Sequence, residues 1–318
     1  MYRRHLSRHD EEVVSFYEPG VGYNKPKQFV EAEQKPFAIS LVTMDGEVFQ
    51  AGDYNLPFAL QSISKVFVYG LALEYYGRDH VLERVGVEPS GDAFNSIVFD
   101  ERNNRPFNPM VNAGALATTN LVVSGDTAEQ ALKRILGILR RYAGSWSLEV
   151  DEVTLEAEMR TADRNRATAY LMRSDGMLGG DVETTLALYL QQCSVSVTCQ
   201  DLALMAATLA NGGANPATGE QALAPCYVRD VLSVMHTCGM YDFAGQWAYR
   251  IGIPAKSGVS GGILAVVPGK LGIGVFSPGL DAYGNSVRST AVCEEISERL
   301  GLHIFAGAGE DALLGPGT

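Results

Sequence analysis

A serine and a lysine, Ser62 and Lys65, stand three residues apart at the start of a segment whose apolar spacing predicts a helix. That spacing places both side chains on one helix face, one turn apart. A serine hydroxyl becomes an effective nucleophile when a base takes its proton, and a lysine can be that base only if burial or a nearby cation lowers its pKa from roughly 10.4. Lys256 is the candidate for that cation. The pair therefore predicts covalent acyl transfer through serine.

The helix N-terminus expected at Ser62 adds a second feature, because its backbone N–H could form one half of an oxyanion hole. By itself a Ser-x-x-Lys match is weak, since Ser62 could cap the helix and Lys65 could face solvent. However, no other lysine of the chain has a serine three residues before it, and Lys256-Ser257-Gly258 lies in a strand-like context. Together the two motifs resemble those of serine β-lactamases and penicillin-binding proteins.

The elements that must position these residues follow from periodicity. A β-hairpin is predicted over residues 37–50, and three further strands over 253–256, 262–267 and 271–276. Short connections favour antiparallel pairing, and one sheet can join the hairpin to the three later strands. The stretch from 91 to 112 is rich in Asn, Pro and Gly and is expected to be an ordered binding loop. Helices are predicted over 62–76, with Gly77 as its stop, and near 113–123, 127–142, 155–172, 182–192, 198–211, 228–236 and 287–300.

These elements predict an α+β fold in which an antiparallel sheet is flanked by helices and carries an inserted helical subdomain. The resemblance of the two lysine motifs implies that this fold is of the β-lactamase/penicillin-binding-protein type. We expect a single catalytic unit over residues 26–305. Its sheet lobe comes from 37–60 and 250–300, its helical lobe from about 62–240, and residues 1–25 and 306–318 are expected to be terminal tails.

Composition narrows the partners and the compartment. A net charge of −12 disfavours nucleic acid and anionic membranes. No apolar run is long enough to cross a bilayer, and Glu11 and Glu12 stand where a secretory signal needs apolar residues. The five cysteines form no Cys-x-x-Cys pair and are expected to be reduced. We therefore expect a cytoplasmic protein that binds neither membrane nor nucleic acid, and we expect no metal site.

A closer resemblance covers the chain from roughly Phe37 to Arg299 and is more specific than either lysine motif. It consists of six segments in order, which are similar to those of the glutaminase family: Leu60–Lys65, Glu88–Gly91, Asn108–Ala115, Met205–Gly213, His236–Asp242 and Pro254–Gly262. This resemblance implies hydrolysis of L-glutamine to L-glutamate and ammonia through a glutamyl-serine intermediate. It also implies no metal or organic cofactor, and a homo-oligomer, either dimer or tetramer.

The resemblance also assigns residues. Ser62 is the implied nucleophile and Lys65 its partner, and the N–H of Val259 would join that of Ser62 in the oxyanion hole. Glu158 suits the substrate ammonium. Tyr189 and Tyr241 either bind the substrate carboxylate or relay protons to the leaving ammonia. The implied substrate-binding set is Ser62, Asn112, Glu158, Asn165, Tyr189, Tyr241 and Val259, with Tyr23 as the nearest match to a tyrosine that the family carries before the first strand, although its spacing differs.

Plainer interpretations of the same residues stay open. Glu158 and Asn165, seven residues apart, could both face one pocket from a single helix or could simply lie on a polar face. Asn112 could cap the helix that follows it. As alternative functions, the lysine motifs allow a β-lactamase or peptidase, and the pocket could belong to a non-catalytic glutamine-binding protein.

Overall fold

The central element of the computed structural model, which describes residues 36–306, is a five-stranded antiparallel sheet. Its strands are β1 (Ala38–Thr43), β2 (Val48–Gly52), β5 (Ala255–Ser257), β6 (Gly262–Val267) and β7 (Leu271–Phe276). Their order in the sheet is β2-β1-β7-β6-β5. The predicted joining of the early hairpin to the late strands is confirmed, because β1 pairs directly with β7. A second sheet of two short strands, β3 (Phe58–Ala59) and β4 (Ser196–Val197), was not predicted, since two residues show no periodicity.

Ten α-helices occur among the described residues, and most of them lie between β3 and β5. They are α1 (Ser64–Arg84), α2 (Asn112–Val123), α3 (Ala128–Ala143), α4 (Glu152–Arg160), α5 (Asp163–Ser174), α6 (Val182–Cys193), α7 (Cys199–Ala210), α8 (Pro225–Cys238), α9 (Ala244–Arg250) and α10 (Val287–Leu300).

Two predicted helices have other bounds in the structure, and one observed helix was not predicted. Gly77, at φ 74°, interrupts α1 as expected, but the helix resumes and ends at Arg84. The single helix predicted over 155–172 is two helices, because Thr161 and Ala162 leave helical geometry between α4 and α5. Helix α9 was missed altogether. The fold is thus α+β with an antiparallel sheet, and the predicted helical stretch is more segmented than its periodicity indicated.

The two faces of the sheet bury different helices, because strand side chains alternate between the faces. On one face Ile263, Ile273 and Val275 pack with residues of α10 such as Val292. On the other face α7 lies directly on the strands. The close approach depends on Gly272, since a Cβ there would lie only 2.0 Å from the Ala207 backbone nitrogen. Helix α7 therefore packs closely against this face of the sheet.

No helix between residues 36 and 306 is long and apolar enough to cross a membrane.

Candidate active site

Ser62 lies in a short 3-10 helix, Gln61–Ile63, and α1 begins two residues later at Ser64. The expectation that the α-helix itself begins at Ser62 is therefore wrong. Gln61 has φ 52°, a left-handed conformation that is uncommon and strained for a residue other than glycine. This sharp turn places Ser62 just before the N-terminus of α1, where the serine is only 6% exposed.

Lys65 is fully buried in the first turn of α1. Its Nζ donates to Oδ1 of Asn112 at 2.6 Å and to the carbonyl of Met110 at 3.3 Å. Burial disfavours the charged amine and lowers the pKa of Lys65 to about 8. An amine with this pKa is partly neutral near physiological pH, as a general base requires.

The cation proposed to depress this pKa, Lys256, does not act in that way. Lys256 is also fully buried, and burial together with the charge of Lys65 lowers the pKa of Lys256 well below its ordinary value. Of the two amines it is therefore Lys256 that stays neutral. The pKa of Lys65 is lowered by desolvation.

A Lys256→Met variant separates these two causes. Because the methionine keeps Lys65 buried, we expect the acid limb of the kcat/KM profile for ammonia release to stay near pH 8, with activity rising as Lys65 loses its proton. The measurement is ammonia release across the pH range for both proteins. If the acid limb moved toward roughly pH 10.4 in the variant, the charge of Lys256 would be the cause of the lowered pKa of Lys65 after all.

Asn112 connects several of the predicted residues. Its Oδ1 accepts from Lys65 and, at 3.1 Å, from the hydroxyl of Tyr189, while its Nδ2 donates to Oδ1 of Asn165 at 2.8 Å. The alternative that Asn112 caps α2 is wrong, because the N-cap position belongs to Val111 and Asn112 is already helical. One carboxamide therefore holds the lysine, a tyrosine and a second asparagine in a single network.

Glu158 and Asn165 come from separate helices, α4 and α5, rather than from one helix as the sequence suggested. Both side chains are half-buried. Glu158 reaches the nucleophile's turn, because its Oε1 accepts from Nε2 of Gln61 at 2.9 Å. Gln61 was missed as a site residue although it stands beside Ser62, since glutamine gives no signal for a left-handed turn.

Tyr241 contacts the site from the opposite side and has a positive φ of 58°. Its hydroxyl donates to the carbonyl of Ser257 at 3.2 Å, the same oxygen that accepts from Lys256 at 2.8 Å, and Nζ of Lys256 lies 3.9 Å from the centre of its ring. Burial raises the pKa of Tyr241 to about 12, although hydrogen bonds with the side chain of Ser62 and with Ser257 oppose the shift. Tyr241 is therefore protonated at neutral pH.

Tyr189 is protonated as well, because burial raises its pKa well above the usual 10. The two tyrosines differ in what they contact. Tyr189 bonds to Asn112, whereas Tyr241 reaches Ser62 and Ser257.

Val259 belongs to a turn between β5 and β6 that packs beside the nucleophile. A Cβ on Gly258 would lie 3.1 Å from the Leu60 carbonyl and 3.4 Å from Cβ of Gln61. The turn is fixed at its base, where the N–H of Gly258 donates to the Gly262 carbonyl at 2.9 Å. Val259 itself is 36% exposed. The structure thus brings the turn of Val259 against the turn of Ser62.

Two further predictions concern Tyr23 and metal binding. Tyr23 lies outside the described residues. Within residues 36–306, no group of three or more His, Cys, Asp and Glu side chains could hold a metal ion.

Comparisons with known proteins show the family to which this chain belongs. The family model described as Glutaminase matches residues 24–305. The chain is 58% identical to the glutaminase of Trichormus variabilis over 286 residues, which is 90% of this chain and 85% of that protein. It is 58% identical to the glutaminase of Microcystis aeruginosa over 269 residues, or 85% of this chain and 79% of that protein.

Solved structures give the same result. A probable glutaminase, ybaS, superimposes with a TM-score of 0.86 at 39% identity and covers 95% of this chain and 98% of its own. A Bacillus glutaminase crystallised in the presence of 4.3 M NaCl gives a TM-score of 0.83 at 37% identity, over 88% of this chain and 96% of its own. The family match extends over most of the sequence and includes every predicted site residue except Tyr23. This chain belongs to the glutaminase family.

Proposed function

We propose that the protein hydrolyses the side-chain amide of L-glutamine to L-glutamate and ammonia, with Ser62 as nucleophile. The observation that carries this proposal is the buried amine of Lys65, three residues after Ser62, with its pKa lowered to about 8. Such a buried amine of lowered pKa is suited to take the serine proton.

The hydrogen bonds of Lys65 support its role as base. A neutral amine has two N–H donors and one lone pair. Lys65 has two acceptors, Asn112 Oδ1 and the Met110 carbonyl, one for each donor. The lone pair is then left for the hydroxyl proton of Ser62.

In the proposed reaction, Oγ of Ser62 attacks the side-chain amide carbon of glutamine while its proton moves to Lys65. The N–H groups of Ser62 and Val259 hold the developing oxyanion. The C–N bond then breaks, and the departing nitrogen takes a proton to leave as ammonia. Water next attacks the glutamyl ester and gives one proton to Lys65. The bond between the acyl carbon and Oγ of Ser62 then breaks, Lys65 passes its proton to Oγ, and glutamate leaves, with the second water proton released to solvent.

The two tyrosines take different parts in this scheme. Tyr241 reaches Ser62 and is protonated. Its single hydroxyl hydrogen, which bonds to the Ser257 carbonyl in the free enzyme, turns to the leaving nitrogen during the reaction, and the Lys65 ammonium then returns a proton to the tyrosine. Tyr189 donates to Asn112 and orients the carboxamide that in turn holds Lys65. We also propose that Asn165 and Asn112 donate to the substrate carboxylate.

Glu158 is the proposed partner of the substrate ammonium. Replacing it by glutamine removes the charge while keeping the shape, so we expect Glu158→Gln to raise KM for glutamine by about 10- to 100-fold with a smaller change in kcat. The matched control is Glu156→Gln, which neutralises an exposed carboxylate of the same helix that faces Arg160 at 3.4 Å. If both variants kept the wild-type KM, Glu158 would have no place in the site.

Ammonia release from glutamine tests the proposed function as a whole. Purified protein is supplied in parallel with glutamine, asparagine and a chromogenic β-lactam. We expect glutamine to be hydrolysed. Opening of the β-lactam without ammonia release would favour a β-lactamase or peptidase, and glutamine binding without glutamate formation would favour a non-catalytic binding protein.

Further parts of the proposal concern fold type, assembly and compartment. We propose that residues 26–305 act as one β-lactamase-like catalytic unit, supported by the sheet built from both ends of that range with helices between. We propose a cytoplasmic homo-oligomer, a dimer or tetramer. All five cysteines are free thiols, which fits a reducing compartment. Light scattering of the purified protein measures the assembly.

A further inference from the structure

A buried carboxamide without partners among the described residues lies in the loop that precedes α10. Asn285 is 0% exposed, and among the described residues neither its Nδ2 nor its Oδ1 has a hydrogen-bond partner. Leaving both ends of an amide unpaired in the interior costs free energy. Such a group therefore calls for an explanation.

Hydrogen bonds fix the backbone of Asn285 and so determine the position of its buried side chain. Its N–H donates to Oδ1 of Asp281 at 2.9 Å and its carbonyl accepts from the Asp281 N–H at 2.8 Å. The next residue, Ser286, caps α10 and donates to the Ser277 carbonyl at 2.6 Å. The hydrogen bonds of Asp281 and Ser286 therefore hold the segment that carries the Asn285 carboxamide.

This loop touches the reaction site. A Cβ on Gly284, the residue before Asn285, would lie 3.8 Å from Cε2 of Tyr241 and 3.9 Å from Cγ1 of Val259. The loop therefore packs against both the tyrosine that reaches Ser62 and the proposed oxyanion donor.

The turn of Val259 is bonded at its base and free at its tip. Gly261 is well anchored, since its carbonyl accepts from the Ser277 N–H and from Oγ of Ser289, both at 3.2 Å. In contrast, within the described part of the chain, the backbone N–H and C=O groups of Val259 and Ser260 make no hydrogen bond, and the buried Ser260 hydroxyl is unpartnered.

We propose that Asn285 is a positioning residue for the reaction, whose carboxamide bonds the free peptide groups of the Val259–Ser260 turn when that turn closes on the developing oxyanion. This inference rests on the proposed role of Val259. The hydrogen bonds of Asn285 would stabilise the transition state, whereas in the free enzyme the unpaired buried amide lowers the stability of the fold. It acts through Val259 and touches no reacting atom.

The test is Asn285→Leu, which keeps the shape of the side chain and removes its polarity. We expect kcat for ammonia release to fall about tenfold or more with KM nearly unchanged, because only the transition state loses a contact. We also expect the melting temperature to stay or rise, because an unpaired buried amide is removed. Asn285→Ala is measured alongside as a second, smaller replacement.

The matched control is Thr290→Val in the first turn of α10, which removes another buried hydroxyl without a partner among the described residues. It should leave kcat unchanged. Wild-type kcat in both Asn285 variants, a parallel loss in Thr290→Val, or failure of both Asn285 variants to fold would overturn the inference. Ser62→Ala in the same assay reports separately on the proposed function: if it is inactive while Asn285→Leu is normal, this inference alone fails.

Discussion

A Ser62→Ala variant is expected to lose at least about 10³-fold in kcat for ammonia release, because the oxygen that would form the glutamyl ester is gone. The recognition groups stay in place, since Glu158 bonds to Gln61 and Asn112 bonds to Lys65 and Asn165 independently of the Ser62 hydroxyl. Calorimetry should therefore still show saturable glutamine binding.

Ser64→Ala is the control for this variant, because it changes the neighbouring serine, which is fully buried and contacts Cys193 at 3.8 Å. We expect it to keep most of the activity. Near-wild-type turnover in Ser62→Ala would remove Ser62 as the nucleophile, and loss of glutamine binding together with turnover would point to a folding defect.

The second large effect is expected for Lys65→Met. Removing the general base should lower kcat by about 10²- to 10⁴-fold and abolish the acid limb near pH 8 in the residual activity. The protein should remain folded, because methionine fills a similar volume and a buried amine is no longer desolvated. The measurement is a full pH profile with a melting curve for each protein.

Lys270→Met is the matched control for Lys65→Met, because Lys270 is exposed in the turn between β6 and β7. It should retain the wild-type profile. An acid limb that persisted near pH 8 in Lys65→Met would mean that another group titrates there, and the role of Lys65 as base would have to be given up.

Much of the sheet could be predicted from local pattern. Strands β6 and β7 and helix α10 have the predicted bounds, since the strands are short apolar runs and the helix is a periodic one, each bounded by Gly, Pro or Ser. Local pattern failed where no residue type marks the change. Periodicity continues through Thr161 and Ala162, and neither glycine nor proline announces the break between α4 and α5.

The site residues also fall into those that local pattern predicts and those that depend on tertiary packing. Ser62 and Lys65 could be recognised from spacing, because their relation is local. The bond from Lys65 to Asn112 spans 47 positions and depends on how α1 packs against α2, which no short pattern encodes. The sequence also left open whether burial or the charge of Lys256 lowers the pKa of Lys65, because burial depends on the packed structure rather than on residue type. Asn285 gave no signal at all.

The most direct test of the central claim is to find the covalent intermediate. Enzyme mixed with excess glutamine is quenched in acid within the first turnover, digested and analysed by mass spectrometry, with Ser62→Ala treated in parallel. The account predicts one added glutamyl group on the peptide that contains Ser62, and none in the variant. Glutamate formation without any adduct at the times sampled, or an adduct on a different residue, would contradict it.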